Sequence, residues 1–137
     1  MIRPVSKKKK WKEYLEDDID EKYFYRSSSK IYQTLMDNIK STKSIYQYRR
    51  GIVRKNKSRL CPCLTATMGT GGHNVPIIKT KKGIRKLTPR ECFNFQGYES
   101  DFILPKELAD SHLYKQAGNS VTVKLIYRIA KQIVKIL

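Results

Sequence analysis

AGNSVTVKLIYRIAKQIVKIL, residues 117–137, closes the chain, and its reading decides how the rest is arranged. Gly118-Asn119-Ser120 has the composition of a turn, and the residues after it have the period of one amphipathic helix. Val123, Ile126, Ile129, Ala130, Ile133, Val134 and Leu137 recur at steps of three and four, while Lys124, Arg128, Lys131 and Lys135 fall mostly elsewhere. Asn119 or Ser120 can cap such a helix, since either side-chain oxygen can accept from an unpaired first-turn amide. Spacing alone favours a terminal helix that completes a core.

Working outward, 137 residues suit one modest domain, or a small domain with an appendage. Twenty-nine Lys and Arg against 12 Asp and Glu leave a formal charge of +17. That excess points to a polyanionic partner, nucleic acid first, with a basic membrane-surface protein as the competing class. No apolar run has the length of a bilayer span, and the N-terminal lysines precede no apolar signal core. The expectation is a soluble, cytoplasmic, DNA-associated protein without a membrane partner. Three cysteines, Cys61, Cys63 and Cys92, are an odd number and argue against a disulfide framework. With His73 they match no familiar zinc spacing, so no metal site is expected.

Toward the N-terminus, Lys7-Lys8-Lys9-Lys10 reads as a solvated basic tip. Trp11 to Asp20 reads as a short helical turn running into an exposed acidic loop. Ser28 to Ile39 has a helical period, with Ser28 and Ser29 as caps and Ile31, Tyr32, Leu35, Met36 and Ile39 as a core stripe. From Ile45 to Lys57 the pattern turns strand-like, and Arg49, Arg50, Arg54, Lys55 and Lys57 interleave with Tyr46, Tyr48, Ile52 and Val53. Guanidinium groups among aromatics suit DNA, because they bind phosphates and fork onto guanine edges. The plainer reading is a solvent-facing strand. Three glycines within Gly69-Thr70-Gly71-Gly72 free the backbone for close approach. The loop lacks the Gly-Lys-Ser/Thr ending of a phosphate-binding loop and the spacing of a dinucleotide fingerprint. Further on, Lys79 to Gly83 makes a basic turn between strands. Thr88-Pro89-Arg90-Glu91 is a capping box with proline at the first helical position, and Gly97 is a stop.

Several of these words resemble one family, the DNA cytosine-5 methyltransferases. Lys115-Gln116-Ala117-Gly118-Asn119-Ser120-Val121 resembles its last motif. Arg85-Lys86-Leu87-Thr88-Pro89-Arg90-Glu91-Cys92, with Gln96-Gly97-Tyr98, resembles its ninth. Leu60 to Pro76 resembles the target-recognition segment that precedes the ninth. The family often has Thr-Leu where this chain has Cys63-Leu64, and a thiol is a weaker donor than a hydroxyl. After Gly97 the usual aromatic-Pro-Asp run is replaced by Tyr98-Glu99-Ser100-Asp101-Phe102. Pro62-Cys63-Leu64 is not the family's Pro-Cys-Gln nucleophile, and no Glu-Asn-Val segment or cofactor-binding Gly-rich loop accompanies it. No catalytic residue is therefore assigned.

The resemblance implies the C-terminal portion or a subunit of a prokaryotic, restriction-modification type methyltransferase. Residues 1–40 would connect from the catalytic domain. Residues 41–114 would be the target-recognition domain, and 115–137 would return to the catalytic domain. The expected fold is α+β: a small twisted-strand recognition domain between about residues 45 and 87, with a C-terminal helix that belongs to the catalytic domain. Asn119, Ser120 and Val121 would border S-adenosylmethionine, in a pocket this chain supplies only in part. Arg49, Arg50, Arg54, Cys63, Leu64, Thr65, Gly71, Gly72 and His73 would face double-stranded DNA. The catalytic N-terminal half or subunit is the implied partner, and the isolated chain is expected to be inactive. Competing accounts are a non-catalytic sequence-specific DNA-binding module and a remnant without function. An exposed apolar stripe on residues 121–137 would favour the enzyme portion.

Overall fold

A computed structural model describes residues 10–57, 60–70 and 74–137. Gly71, Gly72 and His73 of the expected DNA face, and Lys7 to Lys9 of the basic tip, lie outside them. Four antiparallel strands form a sheet of order β2-β1-β3-β4. They are β1 (Ile45–Arg49), β2 (Ile52–Lys55), β3 (Ile77–Thr80) and β4 (Gly83–Lys86). The helices are α1 (Tyr32–Asn38), α2 (Pro89–Gln96), α3 (Asp110–Asn119) and α4 (Val123–Val134), with short 3-10 turns at Trp11–Tyr14 and Glu21–Tyr23. The α+β expectation holds at this level, a mixture of helices with one small antiparallel sheet.

The strand-like run from Ile45 to Lys57 is a hairpin rather than one strand. Arg50 and Gly51 both have positive φ, 50° and 78°, the condition for the tight two-residue turn whose twist matches the strands it joins. The opposite edge of the sheet is shielded by the chain itself. Tyr25 N–H donates to the Ile84 carbonyl at 3.0 Å, and Phe24 bridges to Arg85.

Alternation along the strands gives the sheet two apolar faces. On one, Ile31, Leu35 and Ile39 around α1 pack against Tyr46, Ile77 and Ile84. On the other, Ile45 and Ile78 meet Met68, Val75, Leu87, Cys92, Phe93, Tyr114 and Ala117. Helix α1 begins later than Ser28: the serines form a turn, with Tyr32 N–H donating to the Ser29 carbonyl, and the N-cap Ile31 offers no side-chain oxygen. Met36 is exposed and does not belong to the core stripe.

Two expectations at the C-terminus need correction. Gly118 and Asn119 are the last residues of α3, not a turn, and Ser120 is that helix's C-cap. Neither Asn119 nor Ser120 caps α4. Its N-cap is Thr122, which makes no capping bond; its hydroxyl donates to Gln96 Oε1 at 3.0 Å.

Candidate functional site

The centre of the molecule is the start of α2. Thr88 Oγ1 accepts from Glu91 N–H at 3.1 Å, and Glu91 Oε2 accepts from Thr88 N–H at 2.8 Å, the reciprocal pair the capping box requires. Gly97 ends the helix at φ 92°, where only glycine sits without strain. Glu91 is fully buried and is gripped by a two-pronged fork from buried Arg85, at 2.7 and 2.8 Å. The acidic loop expected to be exposed is so at Asp17, Asp18 and Asp20, but Glu16 at its start joins this network. Glu16 N–H donates to Glu91 Oε1 at 3.0 Å, and Thr88 Oγ1 donates to Glu16 Oε2 at 2.5 Å. Arg90 turns the following loop, donating to the carbonyls of Glu99 (2.7 Å) and Phe102 while its Nε holds Asn94 at 2.9 Å. Arg90 and Glu91 thus build the fold.

The basic residues sit at the hairpin. In the β1–β2 register, Gln47 lies opposite Arg54 and Arg49 opposite Ile52. Arg49 and Arg54 are therefore diagonal neighbours on one face. That face carries Ile45 and Ile78, so both arginines share it with α2, α3 and the loop that comes after Leu60. Gln47 Nε2 ties the same face to the loop, donating to the Asn74 carbonyl at 3.3 Å. Arg50 occupies the turn itself. All three arginines are exposed, and none forms an ion pair with another described residue. Phosphates or base edges can be met there with little loss of existing contacts.

The loop lies across α3 and is fastened at two points. Gly69 has φ 74°, and a Cβ there would stand 2.7 Å from the Tyr114 ring. One helical turn later, a Cβ on Gly118 would stand 2.1 Å from the Thr65 carbonyl oxygen and 2.5 Å from Ala66 N. The Thr65 carbonyl also accepts from Met68 N–H at 3.1 Å, which closes the loop's own turn. Tyr114 is buried beneath, its hydroxyl donating to the Leu87 carbonyl at 2.6 Å. Leu64 and Thr65 are partly covered, whereas Cys63 is exposed and its thiol makes only a long 3.8 Å contact to the Leu64 carbonyl. Cys61 is shielded, and burial, with some help from Cys63, pushes its thiol up to about 12. Buried Cys92 is likewise raised, by burial first and then by Cys61 and Glu91. Neither is poised as a thiolate.

Asn119, Ser120 and Val121 come directly after Gly118. Asn119 and Val121 are exposed, and Ser120 Oγ donates to the Ala117 carbonyl at 2.8 Å. Gln96, the last residue of α2, clamps this segment. Its Nε2 donates to the Ala117 carbonyl at 3.2 Å and reaches that of Ser120 at 3.5 Å, while its Oε1 accepts from Thr122. Sequence reasoning missed Gln96, Glu16 and the role of Gly118. A glycine interrupting a helix was the available signal for Gly118, since it marks close backbone approach. Gln96 stands in the Gln96-Gly97-Tyr98 word, but its bonds to residues 117–122 are long-range and leave no local signal.

Helix α4 buries none of its residues. Val123, Leu125, Ile126, Tyr127, Ile129, Ile133 and Val134 are all exposed. Among the described residues, no helix is long and apolar enough to cross a membrane.

Comparison with known proteins completes the picture. A family model described as C-5 cytosine-specific DNA methylase matches residues 2–135. The type II methyltransferase M.Bsp6I of Bacillus sp. (strain RFL6) is 62% identical over 122 residues, 88% of this chain and 38% of that protein. M.DsaV of Dactylococcopsis salina is 29% identical over 135 residues, 95% of this chain and 36% of that protein. The chain thus spans little more than a third of the length of these relatives. In fold it resembles the S. pombe Dnmt2 methyltransferase, with TM-score 0.67 and 15% identity over 98% of this chain and 43% of that one. The Entamoeba histolytica methyltransferase EhMeth gives TM-score 0.61 and 23% identity, over 92% of this chain and 40% of that one.

Proposed function

The chain belongs to the C-5 cytosine-specific DNA methylase family, and from that premise we propose that it is the DNA-recognising, cofactor-bordering part of a cytosine-5 methyltransferase. Residues 41–114 serve as the target-recognition unit and 115–137 as the return to the catalytic domain, with 1–40 as the connection. The complete enzyme works on DNA in the cytoplasm of a prokaryote. Arg49, Arg50 and Arg54 meet the phosphates and base edges of double-stranded DNA, together with Cys63, Leu64, Thr65, Gly71, Gly72 and His73. Asn119, Ser120 and Val121 form one wall for S-adenosylmethionine. The residues fit that group in chemistry: Asn119 presents an exposed amide with no hydrogen bond to another described residue, and Ser120 adds a hydroxyl. They fit as a wall and not as an enclosure, because the segment is open.

When bound, the cofactor supplies the methyl group. This chain's own contribution is to hold the duplex and to fix the wall against which the donor lies. A thiolate must add to C6 of an extruded cytosine before C5 becomes nucleophilic. The thiolate must come from another part of the enzyme, since Cys61 and Cys92 are held protonated by burial and Cys63 lacks the family's Pro-Cys-Gln context.

The observation that carries this reading is the apolar face of α4, left uncovered by its own domain yet starting beside Asn119–Val121. A self-contained DNA reader would fold that helix over its core. In the proposed enzyme it docks on the catalytic part.

The test is transfer of labelled methyl from S-adenosylmethionine to DNA, by this chain alone and with the remaining part of M.Bsp6I added. Activity only in the mixture is expected. Activity from this chain alone would place the nucleophile here and overturn the reading. DNA binding without activity in either case would leave a recognition module.

A further inference from the structure

The recognition loop and the cofactor wall are joined by a contact with no room to slide. The Thr65–Ala66 peptide lies directly on the α-carbon of Gly118, so closely that even a methyl group there would overlap the Thr65 carbonyl. Gly69 makes a second close approach, from the loop onto the side chain of Tyr114, four residues earlier on the same face of α3. The loop therefore rests along one ridge of the helix and cannot shift without moving α3 or leaving it. The next residue after Gly118 is Asn119, where the cofactor wall begins. Gln96 then fixes the wall to α2 with both ends of its amide.

We infer that Gly118 and Gln96 are positioning residues that make DNA engagement by the loop and the geometry of residues 119–121 one event. The inference rests on the DNA-recognising, cofactor-bordering reading above and deepens it. Close-packed elements do not deform continuously, so a loop drawn toward DNA carries the α3 terminus with it. By linkage, whatever that displacement does to cofactor affinity, the cofactor does to DNA affinity by the same factor. Glycine is needed at 118 because the coupling contact is backbone on backbone. Glutamine is needed at 96 because two carbonyls must be met by a donor while Thr122 is met by an acceptor. A carboxylate cannot do the first.

The experiment is a titration of the isotope-labelled full chain with a short DNA duplex of mixed sequence, following the backbone amide resonances by NMR. In the wild type, the amides of Thr65 and Ala66 and those of Asn119, Ser120 and Val121 are expected to shift with one common midpoint. In Gly118→Ala and in Gln96→Glu, the loop amides are expected to titrate still, while the shifts at 119–121 fall by at least about half. Should Gly118→Ala fail to fold, Gln96→Glu decides, since it touches neither loop nor DNA and keeps the side chain's shape. Two results overturn the inference: residues 119–121 silent in the wild type while the loop titrates, or an undiminished response in folded Gln96→Glu. Absence of any DNA-dependent shift would remove the DNA-recognition reading itself, a distinct failure.

Discussion

Arg85 and Glu91 show what a single residue does here. Both are buried, the carboxylate accepts from the guanidinium and two backbone amides, and no buried polar side-chain atom among the described residues lacks a partner. Removing one ion leaves the other uncompensated inside the protein. Arg85→Met should therefore cost about 3–5 kcal/mol in urea unfolding, and the double variant Arg85→Met, Glu91→Leu distinctly less than the sum of the two single changes. Additive losses would show that the pair does not act as a unit. The thiols give a second prediction. Cys61 has its ordinary value of 9.0 raised to about 12 by burial, so the folded chain binds a proton there that the unfolded chain has lost. Stability from this group is complete below pH 9 and drains away as pH climbs toward 12, the sign that linkage requires. A thiol reagent at neutral pH should modify exposed Cys63 first, and Cys61 and Cys92 only upon unfolding. Cysteine count and spacing sufficed to argue against a disulfide framework. The network around Glu91 was half legible, because the capping box is local while Arg85 and Glu16 arrive from other elements.

Elements were legible where their ends carry chemistry. Helix α2 has Thr88, Pro89 and Glu91 at its start and Gly97 at its stop, and it forms between those signals. Helix α3 is hidden in the sequence because its N-cap is Ala109, which has no oxygen to offer, and because Gly118-Asn119 near its end mimics a turn. Its buried residues, Leu113, Tyr114 and Ala117, are too few to establish a period on their own. Thr88→Ala tests the cap of α2: loss of the hydroxyl should cost about 1 kcal/mol for the cap alone, and more here because the same hydroxyl donates to Glu16. The hairpin supplies a test in which stability and binding part company. Arg50 holds φ 50°, a left-handed conformation that costs an L-residue about 1–2 kcal/mol relative to glycine. Arg50→Gly should raise the unfolding midpoint while weakening DNA binding, and the salt dependence of binding should lose about one phosphate's worth of slope. A stabilised variant with unchanged DNA affinity and slope would take Arg50 off the DNA face.

For the whole molecule, the informative feature is a helix whose apolar side nothing covers. Periodicity marked residues 123–137 as amphipathic but could not say which surface would cover the apolar side, and a core of the chain's own was the simpler expectation. The sheet is packed on both faces, by α1 on one and by α2 and α3 on the other, and among the described residues none of α4 joins either cluster. Its seven exposed large apolar side chains between Val123 and Val134 are unusual for a surface that faces water, and such patches mark contact sites. Substituting Ile126→Lys and Ile133→Lys together puts charge in the middle of that face. If α4 serves a partner, the isolated chain should unfold within about 0.5 kcal/mol per substitution of the wild type, because surface positions contribute little to their own fold. Methyl transfer in the mixture with the M.Bsp6I remainder should be lost while DNA binding by the chain persists. A loss of several kcal/mol in the isolated chain would show instead that α4 packs on its own domain in solution. The apolar stripe would then be part of a self-sufficient fold, and the case for a docking helix would fail at its first premise.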